Sequence, residues 1–208
     1  MKVLIIGGFL GSGKTTALMQ LAQYLGNKNA GDSTSAQFPV VILENEVSNT
    51  GIDNRLLSRT GFKVREMLSG CICCSSSAQL VEQVQGIKEE YNPQWLLIEA
   101  TGLAYPDSVW KTLYTELQID AVILTLIDAG RWTRLVKAMP QFAAAQIKKA
   151  NLIIINKIDL VTGHQLLQIR ESLQELHVTA QICEKSIKDN LGAAFWEEQM
   201  KRWEAGHV

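Results

Sequence analysis

The stretch KVLIIGGFLGSGKTT, residues 2–16, runs from consecutive apolar residues straight into a glycine-rich loop that closes on a lysine and two threonines. Residues 8–15 satisfy the pattern G-x-x-x-x-G-K-[ST] in the setting the pattern requires, after an apolar strand and at the opening of an amphipathic helix. A loop that wraps phosphate oxygens must turn its N–H groups inward without intervening side chains, which is the work expected of Gly8, Gly11 and Gly13. Ser12 and Thr16 complete the expected phosphate-binding set. Lys14 is expected to neutralise the β and γ phosphates, and the Thr15 hydroxyl to ligate Mg²⁺, with the helix N-terminus adding favourable potential.

Working outward, apolar runs rich in Val, Ile and Leu recur at 39–46 (PVVILENE), 94–102 (QWLLIEATG), 121–129 (AVILTLIDA) and 151–160 (NLIIINKIDL), with a weaker one at 179–186 (TAQICEKS). Continuous apolar runs of this length suit strands buried on both faces, and the intervals between them suit helical crossovers. The expected fold is therefore α/β, a mostly parallel sheet with helices on both faces and right-handed connections. Helices are expected at 14–26, 76–91, 106–117, 130–149, 164–176 and 190–204. In the second of these Leu80, Val84, Ile87 and Tyr91 recur at spacings of three and four, marking one buried face. Residues 27–38 read as an exposed loop, and 47–66 carry the poorest periodicity in the chain.

The 208 residues, 47% of them hydrophobic, are enough for one substantial core, and a single domain over 1–208 is expected. Twenty basic against twenty-one acidic residues, with no lysine- and arginine-dense run, argue against a nucleic-acid partner. No apolar run approaches the length of a membrane span, and the first apolar stretch is too short for a secretion signal, so a cytoplasmic protein is expected.

Asn156, Lys157 and Asp159 form N-K-x-D at the end of a buried strand, where doubly wound sheets bind ligands. An aspartate there can accept from both N1–H and the 2-amino group of guanine, donors that adenine lacks, so GTP and GDP are favoured over adenine nucleotides. Residues 183–186 are placed by topology over the base or ribose. Glu99, late in LLIEATG, is the favoured second Mg²⁺ ligand, with Asp128 in TLIDA competing for that role. Gly102 is expected to let the backbone approach the γ phosphate. No residue identifies itself as the group that positions the attacking water.

Cys71, Cys73 and Cys74 lie within four positions in GCICC, and the only other cysteine is Cys183. Thiolates suit soft or borderline ions such as Zn²⁺, but structural zinc takes four ligands, usually as two separated pairs. Three ligands from one loop fit a transient metal better than a permanent one. Ordinary packing and a redox-active thiol pair remain alternative readings. Glu44 and Glu46, ending the second strand, are the nearest candidates for supplementary oxygen ligands.

Taken in order, GGFLGSGKTT, ENE followed by GID, GCICC, IEATGLAYP and NKIDL resemble the GTPase domain of the CobW-type metallochaperones, relatives of HypB and UreG, over residues 1–186. The resemblance implies a SIMIBI-type P-loop fold and Mg²⁺-dependent GTP hydrolysis. It also implies nucleotide-coupled delivery of Zn²⁺ or Co²⁺ to a client metalloprotein or a cobalamin-related pathway, and engagement of a client, an activator subunit or a second copy around the nucleotide. Three departures stand out. Val47, Ser48 and Asn49 replace the family's Phe-Gly-Glu, Ser77, Ala78 and Gln79 replace Arg-Gly-Asp, and residues 1–208 are expected to lack the family's C-terminal domain. A metal-independent, nucleotide-dependent activator or assembly factor is the alternative reading, with a small nucleotide-dependent kinase behind it.

Overall fold

The computed structural model describes residues 1–29, 38–44, 62–66 and 77–205. Seven strands alternate with helices: β1 Lys2–Gly8, α1 Lys14–Asn29, β2 Val40–Glu44, β3 Phe62–Glu66, α2 Ser77–Tyr91, β4 Trp95–Glu99, α3 Pro106–Leu117, β5 Ala121–Asp128, α4 Ala129–Ala138, α5 Pro140–Ile147, β6 Leu152–Asn156, α6 Gly163–Glu175, β7 Gln181–Glu184 and α7 Gly192–Glu204. The strands form one sheet in the order β3-β2-β4-β1-β5-β6-β7, and every pairing is parallel.

Because side chains alternate along a strand, each central strand feeds two cores. Leu4 and Ile6 of β1 and Val40 and Ile42 of β2 meet α1 and α7 on one face, through Leu18, Leu21, Leu25, Trp196 and Met200. Val3 and Ile5, with Val41 and Leu43, meet α2 and α3 on the other face through Leu80, Val84, Ile87, Val109 and Leu113. A third cluster extends that second face, joining Ile127, Ile153 and Ile155 to Trp132, Ile147, Ile169 and Leu173 of α4, α5 and α6. Residues buried on both sides explain why the strands read as unbroken apolar runs. Leu80, Val84 and Ile87 do form the buried face of α2.

Two expectations need correction. The helix expected over 130–149 is two helices, because Pro140 lacks an N–H and its ring crowds the preceding turn; Met139, at φ −142° and ψ 63°, makes the break. The segment 47–66, expected to be irregular, ends in β3, which pairs with β2 at the sheet edge. Of residues 62–65 only Phe62 is fully buried, and Lys63 and Arg65 interrupt the apolar pattern, as suits an edge strand that must not recruit another. Cys71, Cys73, Cys74 and Glu46 lie outside the described residues. Among the described residues no helix is long and apolar enough to cross a membrane.

Candidate nucleotide site

β1 is the central strand, flanked by β4 and β5, so the loop leaving its C-terminal end opens at the middle of the sheet's ligand edge. That loop is a tight turn in which the Ser12 N–H donates to the Phe9 carbonyl at 3.1 Å. Gly13 holds φ +102°, and a Cβ on it would stand 2.5 Å from Asn156 Nδ2, so both the backbone conformation and the close approach of β6 demand glycine. The Lys14 ammonium lies 3.5 Å from the Phe9 carbonyl, folded back along the loop with only 7% of the residue exposed.

From the end of β4, Glu99 Oε1 accepts a 3.0 Å hydrogen bond from the Thr15 hydroxyl. Two oxygens side by side at the start of α1 form the donor set that a hard divalent cation takes. Asp128, the competing acid, is turned elsewhere. Its Oδ1 accepts the Gly130 N–H at 3.0 Å, capping α4, and its Oδ2 accepts from Lys157 Nζ at 2.7 Å. Gly102 packs directly on the loop: a Cβ there would come within 2.6 Å of the Leu10 side chain and 2.7 Å of its amide nitrogen.

The N-K-x-D segment is divided between two tasks. Asn156, 5% exposed, donates from Nδ2 to the Ser12 carbonyl at 2.8 Å, while its Oδ1 accepts the Lys157 N–H at 2.7 Å and the Ile187 N–H at 2.9 Å. Lys157 adopts a left-handed φ of +62°, and its ammonium reaches the Gly11 carbonyl at 2.6 Å. Asp159 instead meets the turn after β7, accepting from the Ser186 hydroxyl and from Lys188 Nζ at 2.5 Å. The Lys188 ammonium, with the Ser186 hydroxyl second, holds the Asp159 carboxyl below the usual carboxylate range.

The structure therefore gathers Gly8–Thr15, Glu99, Gly102, Asn156 and Lys157 at one edge, with Asp159 on the adjoining loop; Thr16 opens α1 beside them, exposed. Glu44 closes β2 on the same edge, half-buried and in register with Glu66 of β3. Lys188 and Arg131 escaped sequence reading. Lys188 sits in a short charged turn after β7, where nothing in the periodicity separates it from other surface lysines. Arg131 lies in the first turn of α4 and donates to the Leu10 carbonyl at 3.3 Å. Cys183, the one cysteine among the described residues, is half-buried on β7, and burial pushes its thiol pKa up. Among the described residues no group of three or more His, Cys, Asp or Glu is arranged to hold a metal ion.

The family described as "CobW/HypB/UreG, nucleotide-binding domain" matches residues 2–184. Zinc-regulated GTPase metalloprotein activator 1 of Dictyostelium discoideum is 24% identical over 222 residues, covering 86% of this chain and 44% of that protein. The zinc chaperone YeiR of Escherichia coli K12 is 31% identical over 162 residues, covering 76% of this chain and 47% of that protein. The chain thus spans about half the length of the curated relatives it matches. Among solved structures, hydrogenase maturation factor HypB from Archaeoglobus fulgidus superposes with a TM-score of 0.62 at 18% identity, over 97% of this chain and 89% of that one, a likeness of fold.

Proposed function

The chain belongs to the CobW/HypB/UreG family of metallochaperone-type P-loop GTPase domains, and on that premise we propose that it is a Mg²⁺-dependent GTP switch that activates or assembles a partner protein. The observation that carries the nucleotide half is the contact of Thr15 Oγ1 with Glu99 Oε1 at 3.0 Å, beside a loop whose Gly13 could bear no side chain. Bound Mg²⁺ would neutralise charge on the β and γ phosphates. Thr15 and Glu99 would hold it, Lys14 would add a second positive charge, and the backbone N–H groups of residues 11–16 would hold the phosphate oxygens. Asp159 would take the Watson–Crick edge of guanine, exchanging part of its contact with Lys188 for the two base donors. Gly102, packed on Leu10, would transmit the presence of the γ phosphate to the segment that follows β4.

A second reading adds cargo. Cys71, Cys73 and Cys74 would carry a transition metal, Zn²⁺ or Co²⁺, as the substance delivered, with Glu44 as a supplementary ligand. Two relatives bearing the name zinc chaperone favour it, one of them at 31% identity. The nucleotide site is common to both readings, which differ in whether the three thiols carry cargo.

Titrating Zn²⁺ and Co²⁺ against the reduced protein loaded with a Mg²⁺-GTP analogue, and then with Mg²⁺-GDP, separates the two readings. Stoichiometric binding that shifts at least tenfold between nucleotides, about 1.4 kcal/mol of coupling, and vanishes in the Cys71→Ser/Cys73→Ser/Cys74→Ser variant establishes the metal carrier. Metal binding indifferent to nucleotide and cysteines leaves the partner activator. Failure to bind GTP or GDP at all refutes both.

A further inference from the structure

Among the described residues Asp128 is the most buried carboxylate at the ligand edge, 9% exposed, and the proposed reaction assigns it nothing. Its surroundings are two cations that both reach the phosphate loop from outside. Lys157 Nζ sits 2.7 Å from Asp128 Oδ2 and 2.6 Å from the Gly11 carbonyl oxygen. Arg131 Nε lies 3.7 Å from the same Oδ2, and its Nη1 donates to the Leu10 carbonyl at 3.3 Å. The carbonyls of two successive loop residues are thus drawn outward by two side chains that share one carboxylate oxygen.

A peptide's N–H and C=O point in opposite directions, so the Leu10 carbonyl fixes the direction of the Gly11 N–H, and the Gly11 carbonyl that of the Ser12 N–H, which in the empty loop turns back to the Phe9 carbonyl at 3.1 Å. We propose that Asp128 is a positioning residue: by holding Lys157 and Arg131 on the Gly11 and Leu10 carbonyls, it presets the phosphate loop for an anionic diphosphate. This rests on the nucleotide reading above and deepens it. It also separates Asp128 from the metal-ligand role for which its strand-end position made it a candidate, since both of its oxygens already accept from protein donors. The arrangement stabilises the empty loop against its own dipoles, and preorganisation of this kind is expressed as affinity. Because the β phosphate is common to GDP and GTP, both nucleotides should feel it alike, with or without Mg²⁺.

The test uses fluorescent GDP and a fluorescent GTP analogue on wild-type protein, Asp128→Asn and Arg131→Gln, in excess Mg²⁺ and in EDTA, with melting of the nucleotide-free proteins alongside. Asparagine keeps the α4 cap and removes the charge; Arg131 is 58% exposed, so its replacement leaves the fold intact. The expected result is at least tenfold weaker binding of both nucleotides to Asp128→Asn and about threefold weaker to Arg131→Gln, by the same factor in Mg²⁺ and EDTA. The double variant should lose less than the product of the two, because the residues act as a unit. An affinity change confined to Mg²⁺, or unchanged affinity with a lowered melting temperature, overturns the proposal; so does an Arg131→Gln variant that binds as wild type. A wild-type protein that binds neither nucleotide overturns the function reading itself.

Discussion

Replacing Asn156 with alanine removes three hydrogen bonds at once: Nδ2 to the Ser12 carbonyl at 2.8 Å, and the Lys157 and Ile187 N–H groups to Oδ1 at 2.7 and 2.9 Å. The side chain is 5% exposed, so three groups, the buried Ser12 carbonyl and Ile187 N–H and the part-buried Lys157 N–H, lose partners that water does not readily replace. At about 1–2 kcal/mol for each group orphaned, the loss is roughly 3–6 kcal/mol. That is a large share of the roughly 5–15 kcal/mol by which domains are stable. For a chain of this length each kcal/mol moves the melting temperature by about 2–4 °C, so the variant should melt about 6–24 °C lower. Thermal unfolding followed by circular dichroism, with guanidinium titration to obtain the free energy, measures this directly. Asn156→Asp separates the contributions differently, because it keeps the acceptor for Lys157 and Ile187 but sets a buried carboxylate oxygen against the Ser12 carbonyl where the donor stood. A melting temperature within 2 °C of wild type for Asn156→Ala would refute the reasoning, since it would mean that the loop and the Ile187 turn do not depend on this side chain.

Gly13→Ala would set a Cβ 2.5 Å from Asn156 Nδ2 at φ +102°, and should cost stability and abolish nucleotide binding together, read by melting and by fluorescent GDP. Glu99→Gln and Thr15→Ala should each raise the Mg²⁺ concentration needed for GTP turnover tenfold or more while leaving GDP affinity in EDTA near wild type. Asp159 should titrate below the ordinary aspartate value of about 3.9, so its contact with Lys188 persists at and above that pH and is lost as pH falls through the depressed folded value; Lys188→Ala should move the midpoint upward, read by carboxyl NMR. Cys183, its thiol pushed up by burial, should resist iodoacetamide near pH 7.5 in the folded protein and react on unfolding, read by mass spectrometry of its peptide.

The sequence exposes the phosphate side of the site more fully than the base side, and the reason is physical. Glycines at 8, 11 and 13, followed by Lys14 and Thr15, are demanded by backbone geometry that leaves a fixed spacing in the chain. Glu99 and Asp128 each end an apolar run at the ligand edge, and only the fold shows that Glu99 meets Thr15 while Asp128 meets Lys157. Strand position alone cannot say toward which neighbour a carboxylate turns. Lys188 and Arg131 are invisible because their roles depend on contacts across 29 and 121 residues of chain, to Asp159 and Leu10. The break at Pro140 was available to local reading, since proline leaves its mark in one residue. β3 was not, because an edge strand with Lys63 and Arg65 lacks the continuous apolar pattern of a strand buried on both faces.

The same contacts join the base side to the helix that begins at the phosphates. Gln20 of α1 donates from Nε2 to the Ile187 carbonyl at 2.7 Å and accepts the Leu191 N–H on Oε1 at 3.0 Å, while the Ile187 N–H is bound to Asn156. The turn between β7 and α7 is therefore clamped from both sides, by the strand end that carries N-K-x-D and by the helix that starts at Lys14. It also supplies Lys188, the partner of Asp159. A displacement of α1 cannot spare this turn without breaking two hydrogen bonds whose partners are part-buried, nor can the turn move without disturbing the cation on Asp159. The candidate phosphate loop, the N-K-x-D segment and the start of α7 are consequently joined by hydrogen bonds, and on the proposed reading a nucleotide that settled the first would constrain the other two. Gln20→Ala, which opens the clamp without touching either candidate ligand set, is the change that would uncouple them.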